Sequence, residues 1–279
     1  MPVLPEISAA GPIDRIAPSL RPARRPIGYH RWTNLLFVHW RLPAEVVRPL
    51  LPAFLTLDTW EDDAWVGLVP FGMSRVRPWW SPAVPGISSF FETNVRTYVH
   101  FRGRDPGVWF FSLDASNALA VRLARWRWHL PYFRAQMSLE RTDDSVEYNS
   151  RRLWPGKTTP GCRIRAEVGS LLPHETSSIA SSADRLPAGR AVPGTLEHFL
   201  IERYILYAQA APGRLLSARV HHSPYPIREA RLDELDESLV SAIGLPTPSA
   251  PCHTAFSDGV DVEIFPLLPV ASATLEFRL

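Results

Sequence analysis

Glu92, Asn94, Arg96, Tyr98 and His100 alternate with Phe91, Thr93, Val95, Thr97 and Val99 in one stretch of the chain. A period of two marks a β-strand with one polar and one apolar face. If the polar face looks into an enclosed space, the carboxylate of Glu92 is placed for acid/base work, Arg96 for holding an anion and Asn94 for polar contact between them. Glu92 and Arg96 lie about 13 Å apart along the strand at ~3.3 Å per residue, so they meet only through long side chains or a shared ligand. From Tyr132 the alternation resumes, putting Tyr132, Arg134, Gln136 and Ser138 on one side and Phe133, Ala135, Met137 and Leu139 on the other. Tyr132 could serve there as oxyanion donor or proton relay, with Arg134 beside it. The plainer reading of Glu92, Asn94 and Arg96 is a solvated strand face; that of Tyr132 and Arg134 is a packed tyrosine with an exposed arginine.

His221 and His222 invite a metal, but neighbours on a strand point to opposite faces and do not readily share one ion. One of the pair is expected to reach the pocket as a ligand-binding residue; no metal and no cofactor are expected. Glu202 and Arg203 read as a surface or interhelical pair. The chain has no serine elbow, no phosphate-cradling glycine loop and no spaced cysteine and histidine cluster. Lys157 is the one lysine and sits in a loop rich in proline and glycine.

Around these residues the sequence predicts a frame of strands. Leu35–Trp40 is an apolar run expected as a buried strand, with a short helix after Pro43. Leu55–Leu57 and Trp65–Phe71 flank the acidic turn Glu61-Asp62-Asp63, which suits a hairpin. Residues 78–89 form a proline-rich loop. Val108–Leu113 is a short buried strand, and Asp114 or Ser116 caps a helix that lays Ala115, Leu119 and Leu123 on the sheet before Pro131 ends it. Strands follow near Val146–Leu153 and Ile164–Val168, then a long loop from Ser170 to Gly194. Thr195 caps a helix expected to run through Ala210; Leu215–His222 is a strand, Leu235–Ile243 a short helix and Val260–Phe265 a strand after the turn Ser257-Asp258-Gly259. Strands adjacent in sequence favour an antiparallel α+β sheet or barrel.

Composition bounds the function. With 46% hydrophobic and 21% charged residues the chain can bury a sizeable core. A net charge of +2 gives no overall basic field for a polyanion, and no local basic patch stands out, so nucleic acid is set aside. Two cysteines make no disulfide framework, no apolar run approaches the ~20 residues of a membrane span, and the N-terminus lacks signal-peptide regions. A cytoplasmic protein is expected, with residues 1–26 as a loose arm and 27–279 as a single domain.

Three paired strings carry a resemblance: AWVGLVPFGM with FFETNVRTYV, WFFSLDASNALAV with LPYFRAQM, and FLIERYILY with VHHSPYP. Over roughly residues 27 to 268 they resemble a bacterial family of unknown function, the YqjF-like proteins, related to the acetoacetate decarboxylase-like superfamily. The resemblance implies a mostly antiparallel closed β-barrel with flanking helices and an internal pocket. It also places Glu92 where the decarboxylase has a pocket glutamate. Pro131, Tyr132 and Phe133 stand where that enzyme has a proline and two lysines, the first of which forms its Schiff base. Both lysines are absent, so imine chemistry does not carry over. The expected function is a pocket protein for a small organic acid or carbonyl compound. It is either lyase-like, with Glu92 and Tyr132 catalytic and Arg96, Asn94, Arg134, His221 and His222 binding the ligand, or a noncatalytic ligand-binding or structural module. A small molecule is the expected partner, membranes are not, and a homo-oligomer is left open.

Overall fold

The computed structural model describes residues 12–173, 187–246 and 250–270. Its strands are β1 (Gly28–Leu42), β2 (Thr56–Leu57), β3 (Ala64–Pro78), β4 (Phe90–Phe101), β5 (Arg104–Ala115), β6 (Tyr132–Arg141), β7 (Ser145–Trp154), β8 (Gly161–Leu171), β9 (Ile205–Ala211), β10 (Arg214–His222), β11 (Ile227–Glu237), β12 (His253–Ile264) and β13 (Leu268–Pro269). Three helices interrupt them: α1 (Ala44–Val47), α2 (Ala118–Trp128) and α3 (Leu196–Ile201). All strands join one sheet, in the order β13-β10-β9-β5-β6-β7-β8-β11-β12-β1-β3-β4-β2, and two further pairings, β5 with β4 and β10 with β12, turn it back on itself. The ladders are antiparallel except β5 with β6 and β5 with β9. Among the described residues no helix is long and apolar enough to cross a membrane.

The return pairings give the central strands two inside faces. Val95 and Val99 of β4 pack with Leu36, Val38, Val66, Ile164 and Phe256, whereas Tyr98 packs with Phe37, Val69, Phe71, Phe199 and Val262. An apolar run such as Leu35–Trp40 is what a strand shielded on both sides requires. Val95 and Val99 are thus covered chiefly by other strands, with Val47 of α1 in the same cluster. Gly259 makes one of these close approaches possible: at φ 125° it brings β12 so near β1 that an added Cβ would lie 2.0 Å from the Trp32 carbonyl oxygen. The strand therefore passes through the string expected as a turn and begins at His253.

Other boundaries moved for local reasons. β2 pairs with β4, not β3, although the acidic turn does form, closing a Trp60–Asp63 bridge with Glu61 and Asp62 at positive φ. Asp114 and Ser116 do not cap α2, because Asp114 holds Arg152 and the Ser116 hydroxyl accepts from the Phe91 amide. Asn117 caps it instead; Val121 turns inward, and Leu119 and Leu123 face outward. α3 starts at its Thr195 cap but stops at Ile201, and Ile205–Ala211, β-branched and aromatic at its start, becomes β9. The segment expected as a helix at Leu235–Ile243 is the end of β11 and a 3₁₀ turn closed by Gly244 at φ 87°. Of the expected long loop, residues 174–186 lie outside the described residues. Residues 12–26 of the expected arm lie on the sheet, where Arg15 pairs with Asp58 and Arg219 donates to the Pro18 carbonyl at 2.6 Å.

Candidate functional site

Ladder register brings Glu92 and Tyr132 together. Glu92 lies opposite Ala115 and Asn94 opposite Leu113 across the β4–β5 ladder; α2 then carries the chain back so that Tyr132 pairs in parallel with Leu113. Opposed residues share a face, so all of these point to the side lined by Phe71 and Val69 of β3. The Tyr132 hydroxyl donates to Glu92 Oε2 at 2.7 Å, and the Glu92 side chain is 3% exposed. Burial pushes the Glu92 carboxyl up to about 7, against hydrogen bonds from Tyr132 and Asn94 that favour its charged form; the charge of Asp114 pushes the same way as burial. Burial, then the negative charge of Glu92, holds the Tyr132 hydroxyl well above its ordinary range.

Arg96 lies on the same side but does not reach Glu92. Its guanidinium donates to the Leu200 carbonyl at 3.0 Å and approaches the Tyr98 hydroxyl at 3.5 Å. His222 is the inward member of its pair. It is 2% exposed, stacks on Tyr204 at 4.6 Å between ring centres and lies 4.5 Å from the Tyr225 ring. Its Nδ1–H donates to the Ser223 carbonyl at 2.8 Å, leaving Nε2 as acceptor. Burial lowers its pKa to about 4, and Arg96 is close enough for its charge to push the same way. His221 faces the N-terminal segment, with Nδ1 3.2 Å from the Ser19 carbonyl, so it leaves the ligand-binding set. Arg134 leaves it too: two residues beyond Tyr132, at an irregularity in the β6–β7 ladder, it is exposed.

Two histidines near this site, His39 and His253, were not singled out from the sequence. Tyr98 donates to the Leu200 carbonyl at 2.7 Å and so accepts from His39 Nε2 at 2.8 Å; His39 Nδ1 in turn accepts from His253 Nδ1 at 3.1 Å. A histidine embedded in the apolar run Leu35–Trp40 was the available signal for His39. Gly67 leaves room for that ring, since a Cβ there would sit 2.8 Å from His39 Cδ2. Glu202 and Arg203 are buried and not paired with each other. Glu202 accepts from the Tyr225 amide at 2.9 Å and from the Tyr204 hydroxyl, while Arg203 pairs with Asp58 at 2.7 Å.

Among the buried polar atoms without a protein partner among the described residues are Asn94 Oδ1, Arg96 Nε, His222 Nε2 and Trp32 Nε1 on this side. Trp32 connects them, lying 6.1 Å from His222 and 5.7 Å from Phe71, the cross-strand neighbour of Glu92. Lys157 is exposed in the β7–β8 loop. Among the described residues no three histidine, cysteine or acidic side chains are placed to hold a metal ion. A separate surface cleft of about 530 Å³, beside Trp109, Arg125, His129 and Pro131, includes neither Glu92 nor Tyr132.

Comparison with known proteins identifies the fold and the family. The uncharacterized protein YqjF of Bacillus subtilis (strain 168) is 32% identical over 236 residues, which are 85% of this chain and 89% of that one. Among solved structures, the enduracididine biosynthesis enzyme MppR complexed with pyruvate matches with a TM-score of 0.58 at 13% identity, over 89% of this chain and 92% of that one. Acetoacetate decarboxylase from Legionella pneumophila matches with a TM-score of 0.55 at 14% identity, over 95% and 98%. At such identities these likenesses show a shared acetoacetate decarboxylase-like fold. The profile of the DUF2071 family, described as an uncharacterized conserved protein, matches residues 29–261, and the chain belongs to that family.

Proposed function

We propose that this chain is a lyase-like acid/base catalyst for a small organic acid or carbonyl compound, working without an imine inside a closed barrel, a reading that the two return pairings of the sheet support. The observation that carries the reading is Glu92, a buried carboxyl with a pKa of about 7 joined to Tyr132 by a 2.7 Å hydrogen bond. A carboxyl that titrates near neutrality takes and returns a proton with little cost in either direction. The nearest chemistry is enolisation. The Glu92 carboxylate removes a proton from the carbon next to a carbonyl, and the electron pair moves onto the carbonyl oxygen. As Glu92 takes up that proton, the Tyr132 hydroxyl leaves the carboxyl and donates its hydrogen bond to the carbonyl oxygen instead, and the protonated Glu92 then returns the proton to carbon. Arg96 and Asn94 supply polar contacts for the remainder of an acid, and His222 bounds the pocket on its far side.

A short keto acid is the ligand class this reading favours, because MppR of the same fold was solved with pyruvate. A cytoplasmic location and a single domain over residues 27–279 remain part of the proposal. Hydrogen exchange at the pyruvate methyl group, followed by proton NMR in D₂O, tests it. The wild-type protein is expected to speed the exchange, and Glu92→Gln to lose at least about a hundredfold of that rate. Pyruvate that binds with no exchange would instead establish the noncatalytic ligand-binding module.

A further inference from the structure

Three segments of the chain contain no aspartate or glutamate: residues 74–91, 115–139 and 148–160. They hold nine of the 30 basic residues and none of the 28 acidic ones, in a protein whose net charge is only +2. Arg152 is taken up by Asp114, but none of the other eight makes an ion pair among the described residues. The same segments carry nine of the fifteen large hydrophobic side chains that are exposed among the described residues. On α2, Leu119, Leu123 and Trp126 are 62%, 54% and 75% exposed, and the preceding loop adds Trp80 at 71%. Scattered exposed apolar residues are ordinary, but their concentration on one face is not.

The segments are neighbours in space. Asn117 at the start of α2 donates to the Ile87 carbonyl at 2.9 Å, which ties the helix to the loop of residues 79–89. At its other end Arg125 lies 5.4 Å from the centre of the half-exposed Trp154 ring and donates to the Tyr132 carbonyl at 2.6 Å. Along α2 the stripe Leu119, Leu123, Trp126 recurs at i, i+4 and i+7, and exposed Arg122 and Arg127 flank it. An aliphatic and tryptophan stripe edged by arginines matches the interfacial region of a bilayer, where the rings and leucines enter the acyl boundary and the guanidinium groups meet headgroup phosphates.

We propose that this face rests on anionic lipid membranes, as a peripheral surface and not a spanning element. Charge decides between this and the other occupants. A second copy of the chain docked face to face would set arginine against arginine with no acid on either side. A nucleic acid would satisfy the arginines but leave Leu119, Leu123 and Ile87 against phosphates and sugars. Of these three, only a membrane, anionic outside and apolar within, uses both halves of the surface.

Co-sedimentation of the full chain with phosphatidylcholine vesicles, with and without about 30% phosphatidylglycerol, reads the interaction. Expected are at least about tenfold tighter binding to the anionic vesicles, weakening as salt is raised, and a blue shift of tryptophan emission on binding. Trp80→Ser with Trp126→Ser is expected to weaken binding at least about tenfold, and Arg122→Gln with Arg127→Gln to remove the preference for anionic lipid. Arg214→Gln, an exposed arginine on β10, is expected to change neither. Should the tryptophan variant fail to fold, the arginine pair carries the test alone. Equal binding to both vesicle types, or variants that bind as the wild type does, would overturn the proposal. So would a dimer that Trp126→Ser dissociates in a protein indifferent to vesicles, or tighter binding to a single-stranded RNA oligonucleotide than to the vesicles.

Discussion

The hydroxyl of Tyr132 reaches Glu92 from a strand that enters the sheet only after a helical crossover, 40 residues later in the chain, and it meets the carboxylate at 2.7 Å. Neither residue has another route to its partner: the contact exists because β5 pairs in parallel with β6 at Leu113 and Tyr132. Tyr132 therefore favours the charged form of Glu92, against the larger effect of burial. Removing the hydroxyl in Tyr132→Phe deletes a hydrogen bond to a charged group, worth about 1.5–3 kcal/mol, so the Glu92 pKa should rise from about 7 by about one unit or more. Carboxyl-carbon NMR of the variant reads this directly, and a pKa that stays at or below 7 contradicts it.

Asp114 and Arg152 predict a different response. Arg152 donates through Nε and one terminal nitrogen to both oxygens of Asp114 at 2.7–3.2 Å, and both side chains are buried. Arg152→Ala leaves the carboxylate buried and unpaired, which should cost about 3–5 kcal/mol of unfolding free energy. Asp114→Asn combined with Arg152→Met removes both charges and should recover most of that loss. Denaturant unfolding of the three proteins checks it, and a double variant as unstable as Arg152→Ala would show that lost packing, not charge, set the cost.

Gly259→Ala tests how tightly β12 lies against β1. The added methyl would meet the Trp32 carbonyl oxygen at 2.0 Å, at a φ of 125° that side chains seldom adopt. The variant should lose about 3 kcal/mol or more, the combined scale of overpacking and a strained backbone. A thermal midpoint unchanged from the wild type would show that the two strands separate without penalty.

The alternation of Glu92 to His100 disclosed a strand and its two faces, because a period of two survives whatever covers the sheet. What covered each face was not legible: Val95 and Val99 are buried by β1, β3, β8 and β12, which lie far away in sequence. Glu92, Asn94, Arg96, Tyr132 and His222 came out on one side because strand parity is local. Arg134 shares Tyr132's parity and still points to solvent, since β6 leaves the shielded side within two residues. α2 misled for the opposite reason. Its stripe Leu119, Leu123 has the spacing of a packed face, and periodicity alone does not say whether such a face meets the protein or something outside it.

The last prediction sets Glu92 against His222, whose pKa values move in opposite directions from their ordinary ones. Burial raises Glu92 from 4.5 to about 7, so the folded state binds its proton more tightly than the unfolded chain does. This group then destabilises the fold as pH rises from about 4.5 to about 7. A shift of about 2.5 units corresponds to roughly 3 kcal/mol. Burial lowers His222 from 6.5 to about 4, so between those values the unfolded chain binds the extra proton, and the contribution of His222 is complete above 6.5 and lost as pH falls toward 4. Over the shared window the two contributions oppose each other, and each is read as the difference between a variant and the wild type, in which the contributions of other buried groups such as His30 and His39 cancel. Relative to wild type, Glu92→Gln should gain stability as pH rises from 4.5 to about 7 and keep that gain at pH 8. Relative to wild type, His222→Phe should gain stability as pH falls from 6.5 toward 4. Chemical denaturation across pH 4 to 8 separates the cases, and two variants with parallel profiles would mean that the buried state of at least one of these groups has been misread.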